Sequence, residues 1–141
     1  PSFSDVSATH FYYEWAEGAA GAGIVTGFDS GTFRPSLQIT RQQANSILGR
    51  HLSQQELTNT GSIRGGLGSY ASVAAWYAAE GAAILAPFAD ASQLARVHAP
   101  FTAYLIYHEV VIGSLLGARV YLMPLSDLTR AQAATLLVRT K

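Results

Sequence analysis

Two short stretches hold the residue types best suited to binding chemistry: Ile39-Thr40-Arg41-Gln42-Gln43 and Leu128-Thr129-Arg130-Ala131-Gln132. Each reads as the start of a helix. Thr40 is the expected N-cap, and Gln43 three residues later completes a capping box, with Ile39 placed as a hydrophobic staple residue. Arg41 and Arg130 then sit one position inside a helix N-terminus, where free backbone N–H groups and the helix dipole favour an anion. Their guanidinium groups add a forked donor that matches a carboxylate, and Thr40 or Thr129 can cap and still offer a hydroxyl. The competing reading pairs Arg41 and Arg130 with Asp5 and Asp90, or with a carbonyl of a neighbouring unit, as structural clamps.

Other side chains divide between groove and core. Tyr12, Tyr13, Phe11, Trp15 and Phe28 offer flat faces for a ring-shaped ligand; Tyr12 and Tyr13 are the groove candidates, and Trp15 and Phe11 are expected in the core. Gly27 and Gly31 either admit a ligand close to the backbone or supply positive φ in a turn. Asp5 is a cap or turn acceptor, with ligand contact as its second role, and Asp29 suits an Asx turn. His10, His51, His98 and His108 lack metal-binding spacing, and His108 is expected as a hydrogen-bonded interior residue. Glu14 and Glu17, three apart on one helix, read as solvated charge rather than a catalytic pair. Gly61 to Gly68 lacks the Lys-Ser/Thr of a phosphate-binding loop. No Ser-His-Asp arrangement and no dinucleotide fingerprint is present, so no catalytic residue, metal or cofactor is assigned.

The elements that must position these groups are mainly helical. The spacing predicts helices over about 11–23 (Trp15, Ala19 and Ala22 on one face), from Thr40 onward (Ala44, Ile47, Leu48 and Leu52), over 71–83 (Val73, Trp76, Tyr77 and Glu80), over 100–111 (Phe101, Tyr104, Leu105, His108 and Ile112), and from Thr129 (Ala133, Leu136 and Leu137). Thr32 to Arg34 allows a very short strand. From Ser53 to Ser69 the pattern loosens into a Gly-rich turning loop, and 113–123 reads as a loop or short strand ended by Pro124.

Composition narrows the function classes. The chain has 141 residues, no formal net charge and 13% charged residues, against about 25% in a typical domain. Zero net charge argues against a general nucleic-acid binder or an electrostatic membrane anchor. No segment reaches the roughly 20 apolar residues of a membrane span. The absence of Cys excludes thiol chemistry and disulfides. The chain opens at Pro1-Ser-Phe-Ser without a start Met, and reads as an excised or mature fragment of about one domain's length.

Internal repetition is the strongest organising signal. The Thr40-Arg41 segment returns at Thr129-Arg130, a shift of 89 residues that also carries Pro35 onto Pro124. Phe3-Ser-Asp5 returns as Phe88-Ala-Asp90, and Gly23-Ile-Val-Thr-Gly27 has an echo in Glu109-Val-Val-Ile-Gly113. The middle third keeps only its second helix clearly, and Ser69-Tyr70 stands where Thr-Arg would be.

Phe3-Ser-Asp-Val, His10-Phe-Tyr-Tyr, Ala22-Gly-Ile-Val-Thr-Gly-Phe-Asp-Ser-Gly-Thr-Phe-Arg-Pro and Ile39-Thr-Arg-Gln-Gln-Ala together resemble the S-layer homology family. The resemblance implies a pseudo-threefold array of helix–loop–helix repeats around a central helix bundle, with short loop or strand segments. It divides a single domain, 1–141, into repeats at 1–56, 57–86 (degenerate) and 87–141. It also implies non-covalent attachment of an exported protein to peptidoglycan-linked cell-wall polysaccharide, often a secondary polymer with a pyruvate ketal on its terminal sugar. Arg41, Thr40, Arg130, Thr129, Tyr13, Tyr12, Gly27 and Asp5 are then the expected glycan contacts. The expected location is extracellular, at the cell surface. The alternative is an assembly module that self-associates in a surface layer without binding glycan.

Overall fold

The computed structural model describes residues 1–140; Lys141 and the side chains of Arg130, Ala131, Ala134, Leu137 and Val138 lie outside the described residues. The chain is mainly helical and divides into two compact units, Pro1–Gln38 and Ile39–Lys141.

The first unit holds α1 (Tyr13–Gly21). Its small core consists of Phe3, Val6 and Ala16, with Tyr12, Tyr13, Ala20, Val25 and Phe33 packed against it. The expected strand at Thr32 to Arg34 is not formed. Phe28 N–H donates instead to Thr32 O at 2.8 Å, and Gly31 N–H to Phe28 O at 2.9 Å, which closes a tight turn. That turn needs Gly27: φ is +65°, and a Cβ there would collide with the Phe3 ring.

The second unit contains four helices: α2 (Arg41–Thr60), α3 (Val73–Leu85), α4 (Ala99–Tyr107) and α5 (Arg130–Arg139). Two hairpins join them, β1 (Ile63–Arg64) with β2 (Ser69–Tyr70) and β3 (Ser114–Leu116) with β4 (Arg119–Tyr121). The core is built on Ile63, Trp76, Ala103 and Leu105, all fully buried, with Val110, Leu122 and Leu136 around them. Thr40 caps α2 with the expected capping box, and Thr129 caps α5 in the same way with Gln132.

α2 departs from its expected pattern in two respects. It runs on to Thr60 through the stretch expected to loosen, because Gln54, Gln55 and Glu56 are good helix formers and Gly61 at φ +76° ends it. Its buried face is also largely polar. Gln42, Asn45, Ser46 and Ser53 are buried, while Ile47, Leu48 and Leu52 are half-buried. Three of these polar groups are satisfied by α4 and the segment before it: Ala95 N–H donates to Gln42 Oε1 at 3.0 Å, Asn45 Nδ2 to Thr102 Oγ1 at 3.4 Å, and Ser46 Oγ lies 2.7 Å from His98 Nδ1. Buried polar groups with partners fix the register of two helices where apolar ones would slide.

The Gly-rich segment after α2 is the β1–β2 hairpin, fastened to Glu80. Gly66 N–H, Leu67 N–H and Tyr70 Oη donate to its carboxylate at 2.7, 3.0 and 2.8 Å. The middle copy keeps a polar helix cap, displaced from the expected place. Ser72 accepts from Ala75 N–H, while Ser69 and Tyr70 belong to β2. α4 ends earlier than expected, so Ile112 lies beyond it and is exposed; His108 is the α4 C-cap and about a third exposed rather than interior.

The repeated motifs share local geometry. Asp5 accepts from the N–H groups of Phe33 and Arg34 at 2.7 and 2.8 Å, and Asp90 accepts from Leu122 and Met123 at 2.7 and 2.8 Å. Arg34 and Met123 both hold positive φ, +56° and +51°, directly before Pro35 and Pro124. Gly113 meets the Phe88 ring as Gly27 meets Phe3.

Candidate functional site

The site builds outward from the start of α2. Its first-turn N–H groups, expected to be open, are all taken. Arg41 N–H donates to Ser126 O at 2.9 Å, Gln42 N–H to Pro124 O at 3.0 Å, and Gln43 N–H to Thr40 Oγ1 at 3.4 Å. Leu128 N–H donates to Ile39 O at 3.0 Å, making an antiparallel bridge between Thr40 and Asp127. The extended chain ahead of α5 thus satisfies the donors that an anion would have used. What remains for an anion at this helix start is the Arg41 side chain.

Arg41 is half-buried, and its guanidinium has no hydrogen-bond or ion-pair partner among the described residues. It lines a recess of about 50 Å³ with Asn45, Gly113 and Arg139, walled by Val111, Ile112, Leu122, Leu128 and Leu136. No acidic side chain lines it among the described residues. Asn45, one helical turn beyond Arg41 on α2, is within reach of sequence reasoning through its i, i+4 spacing. Arg139 is not, because only the packing of α5 brings the far end of that helix to the recess.

The other expected contacts fall elsewhere. Thr40 and Thr129 use their Oγ1 atoms as acceptors in the caps, with Gln132 N–H donating to Thr129 at 3.2 Å. The Arg130 side chain lies outside the described residues. Tyr12 and Tyr13 are half-buried in the first unit, and Gly27 serves its turn. Both carboxylate oxygens of Asp5 accept backbone N–H bonds. That from Phe33 is the main reason its pKa lies below the ordinary value; burial opposes it, and Arg34 N–H adds to it. Glu17 is likewise lowered, first by the Ser2 hydroxyl and then by Ser2 N–H, so it tethers the chain start rather than pairing with Glu14.

Phe11 and Trp15, expected in the core, are 90% and 78% exposed. α1 is only nine residues long and buries Ala16; the preceding position lies about 100° round the helix and faces out. Tyr12, Trp15, Ala16, Ala19, Phe33 and Pro35 line an open apolar cleft of about 240 Å³. Phe28 stacks under the Arg34 guanidinium, 4.3 Å from the ring centroid.

Away from the recess, the titratable groups secure the fold. Tyr104 Oη donates to Glu56 Oε2 at 2.7 Å, and burial followed by this bond raises the phenol pKa. His98 is lowered by burial and then by the Arg50 charge. His108 is also lowered by burial, with Glu56 opposing. For Glu80, burial is the largest single influence and pushes the pKa up, but bonds from Leu67 N–H, Tyr70 Oη and Gly66 N–H together outweigh it and leave the group lowered. Among the described residues no cluster of three or more His, Asp or Glu could hold a metal ion, and no helix is long and apolar enough to cross a membrane.

Residues 2–44 match the S-layer homology domain model. The match spans the Phe3-Ser-Asp5 entry, the turn at Gly27 and the Thr40-Arg41 helix start, about a third of the chain. Two sequences of Outer membrane protein SlpA from Thermus thermophilus are each 46% identical over 54 residues, 38% of this chain. The matched segment spans 6% of the length of these relatives.

Proposed function

We propose that this chain is an attachment module, without catalysis, that holds an exported protein to the bacterial cell surface by binding an acidic, peptidoglycan-linked secondary cell-wall polysaccharide. A pyruvate ketal is one form in which such a polymer presents a carboxylate. The observation that carries the reading is the Arg41 guanidinium, half-buried at the edge of a recess, with neither a partner for it nor an acidic lining among the described residues. A guanidinium in that setting favours a carboxylate. Thr40, Thr129, Arg130, Tyr12, Tyr13, Gly27 and Asp5 are the remaining proposed contacts, and the repeats at 1–56, 57–86 and 87–141 are the proposed units of a pseudo-threefold array. The experiment is cosedimentation of the purified protein with isolated Thermus thermophilus sacculi, before and after the secondary polymer is stripped. Binding that depends on the polymer supports the reading; no binding to intact sacculi rejects it.

A second reading, a self-associating assembly module of a surface layer, draws on the exposed Phe11 and Trp15. Aromatic side chains of this kind are enriched at protein interfaces. Light scattering separates the two: a stable oligomer without affinity for sacculi favours assembly.

A further inference from the structure

We infer that Arg139 is the second half of a two-guanidinium clamp and that its partner is a carboxylate on the glycan. This rests on the attachment reading of the Arg41 recess. Arg41 comes from the first residue of α2 and Arg139 from the last of α5, yet both line the same recess. One Arg139 N–H, on Nη1, donates to Val110 O at 3.4 Å, a long bond that orients the side chain, and among the described residues no other hydrogen bond takes up the rest of the fork. The remaining walls are apolar apart from Asn45 and Gly113, and one of the two Asn45 Nδ2 hydrogens is already given to Thr102.

Two like charges lining one recess repel each other, and among the described residues nothing acidic lines it to offset them. An anion between them turns that repulsion into attraction from both sides. The recess is about 50 Å³, enough for a small charged group to enter between the two guanidiniums. A planar carboxylate fits two forked donors. Arg139 therefore selects for the acid substituent rather than for the sugar.

The test uses the whole chain and Thermus thermophilus sacculi in two forms, untreated and with carboxylates amidated by carbodiimide and a neutral amine. Thermal unfolding first establishes that Arg139→Gln and Arg139→Lys are folded; Arg139 is exposed, and Lys keeps a donor for Val110 O. On untreated sacculi Arg139→Gln is expected to weaken binding about tenfold and to flatten its salt dependence, with Arg139→Lys restoring the salt dependence but only part of the affinity. On amidated sacculi wild type and Arg139→Gln are expected to bind equally weakly. Wild-type affinity in Arg139→Gln, or the same loss on both forms of sacculi, overturns the clamp and leaves the attachment reading standing. Failure of the wild type to bind untreated sacculi overturns the attachment reading and the clamp with it.

Discussion

Asp90 grips the backbone N–H of Met123 at 2.8 Å, and so holds a non-glycine residue at φ +51° immediately before Pro124. The left-handed conformation costs a residue with a Cβ roughly 1–2 kcal/mol, so it persists only where something fixes it. Asp90 is buried and its other oxygen holds Leu122. Asp90→Asn keeps one acceptor and turns an NH2 group toward a backbone N–H. The expected loss is about 2–3 kcal/mol of stability, read by urea denaturation. Asp5→Asn, at an exposed site with the same geometry, is expected to lose less; equal losses would contradict the role given to burial.

Gly49 sets the separation of α2 and α4. A Cβ there would lie 2.7 Å from Phe101 Cβ and 3.0 Å from Phe101 O, and the latter is backbone and cannot swing aside. Gly49→Ala gains about 1 kcal/mol of helix propensity and incurs roughly 1–3 kcal/mol of overpacking. The net expectation is a lower Tm, with Gly49→Val worse. A raised Tm for Gly49→Ala would show that the two helices can part without loss.

Acid weakens the fold near neutrality through His98. Its folded pKa is below the ordinary value of 6.5, so the unfolded chain takes up the proton first. The stabilisation from the neutral ring is complete above about pH 6.5 and is lost as pH falls toward the folded pKa. Tm is expected to fall between about pH 7 and pH 5, and less steeply in His98→Gln. Parallel profiles for the two proteins would remove His98 as the cause.

The two tryptophans make opposite predictions. Trp76 is fully buried and Trp15 is 78% exposed. In Trp76→Phe the remaining emission is expected to be red-shifted and readily quenched by acrylamide; in Trp15→Phe it is expected to be blue-shifted and protected. Trp15→Ala is expected to change stability by no more than about 0.5 kcal/mol. Strong protection of Trp15 in the isolated monomer would contradict its exposure.

What can be read from the sequence is local. The Thr40–Gln43 capping box lies within four residues, so its side-chain types are enough to place the start of α2. The repeated Asp5 and Asp90 can be recognised as turn acceptors because their surroundings recur, although their N–H partners lie about thirty residues away. Long-range packing is not readable. The polar face of α2 is buried because α4 and the residue before it bring Thr102 and His98 to it, and no periodicity within α2 signals that. The fastening of the β1–β2 hairpin to Glu80 is likewise tertiary. Trp15 departs from the expected core position because an apolar side chain need not be buried, and the short α1 contributes only Ala16 to the buried core. The helix start at Arg41 stands where expected, but its N–H groups are not open, since residues 124–128 arrive from far along the chain.

The most direct measurement is the affinity of Arg41→Ala for Thermus thermophilus sacculi beside that of the wild type. Arg41→Ala is expected to lose about 2 kcal/mol or more, roughly thirtyfold in Kd, while still folded by circular dichroism, with Arg41→Lys recovering only part of it. Wild-type binding by a folded Arg41→Ala would show that this guanidinium does not grip the polymer.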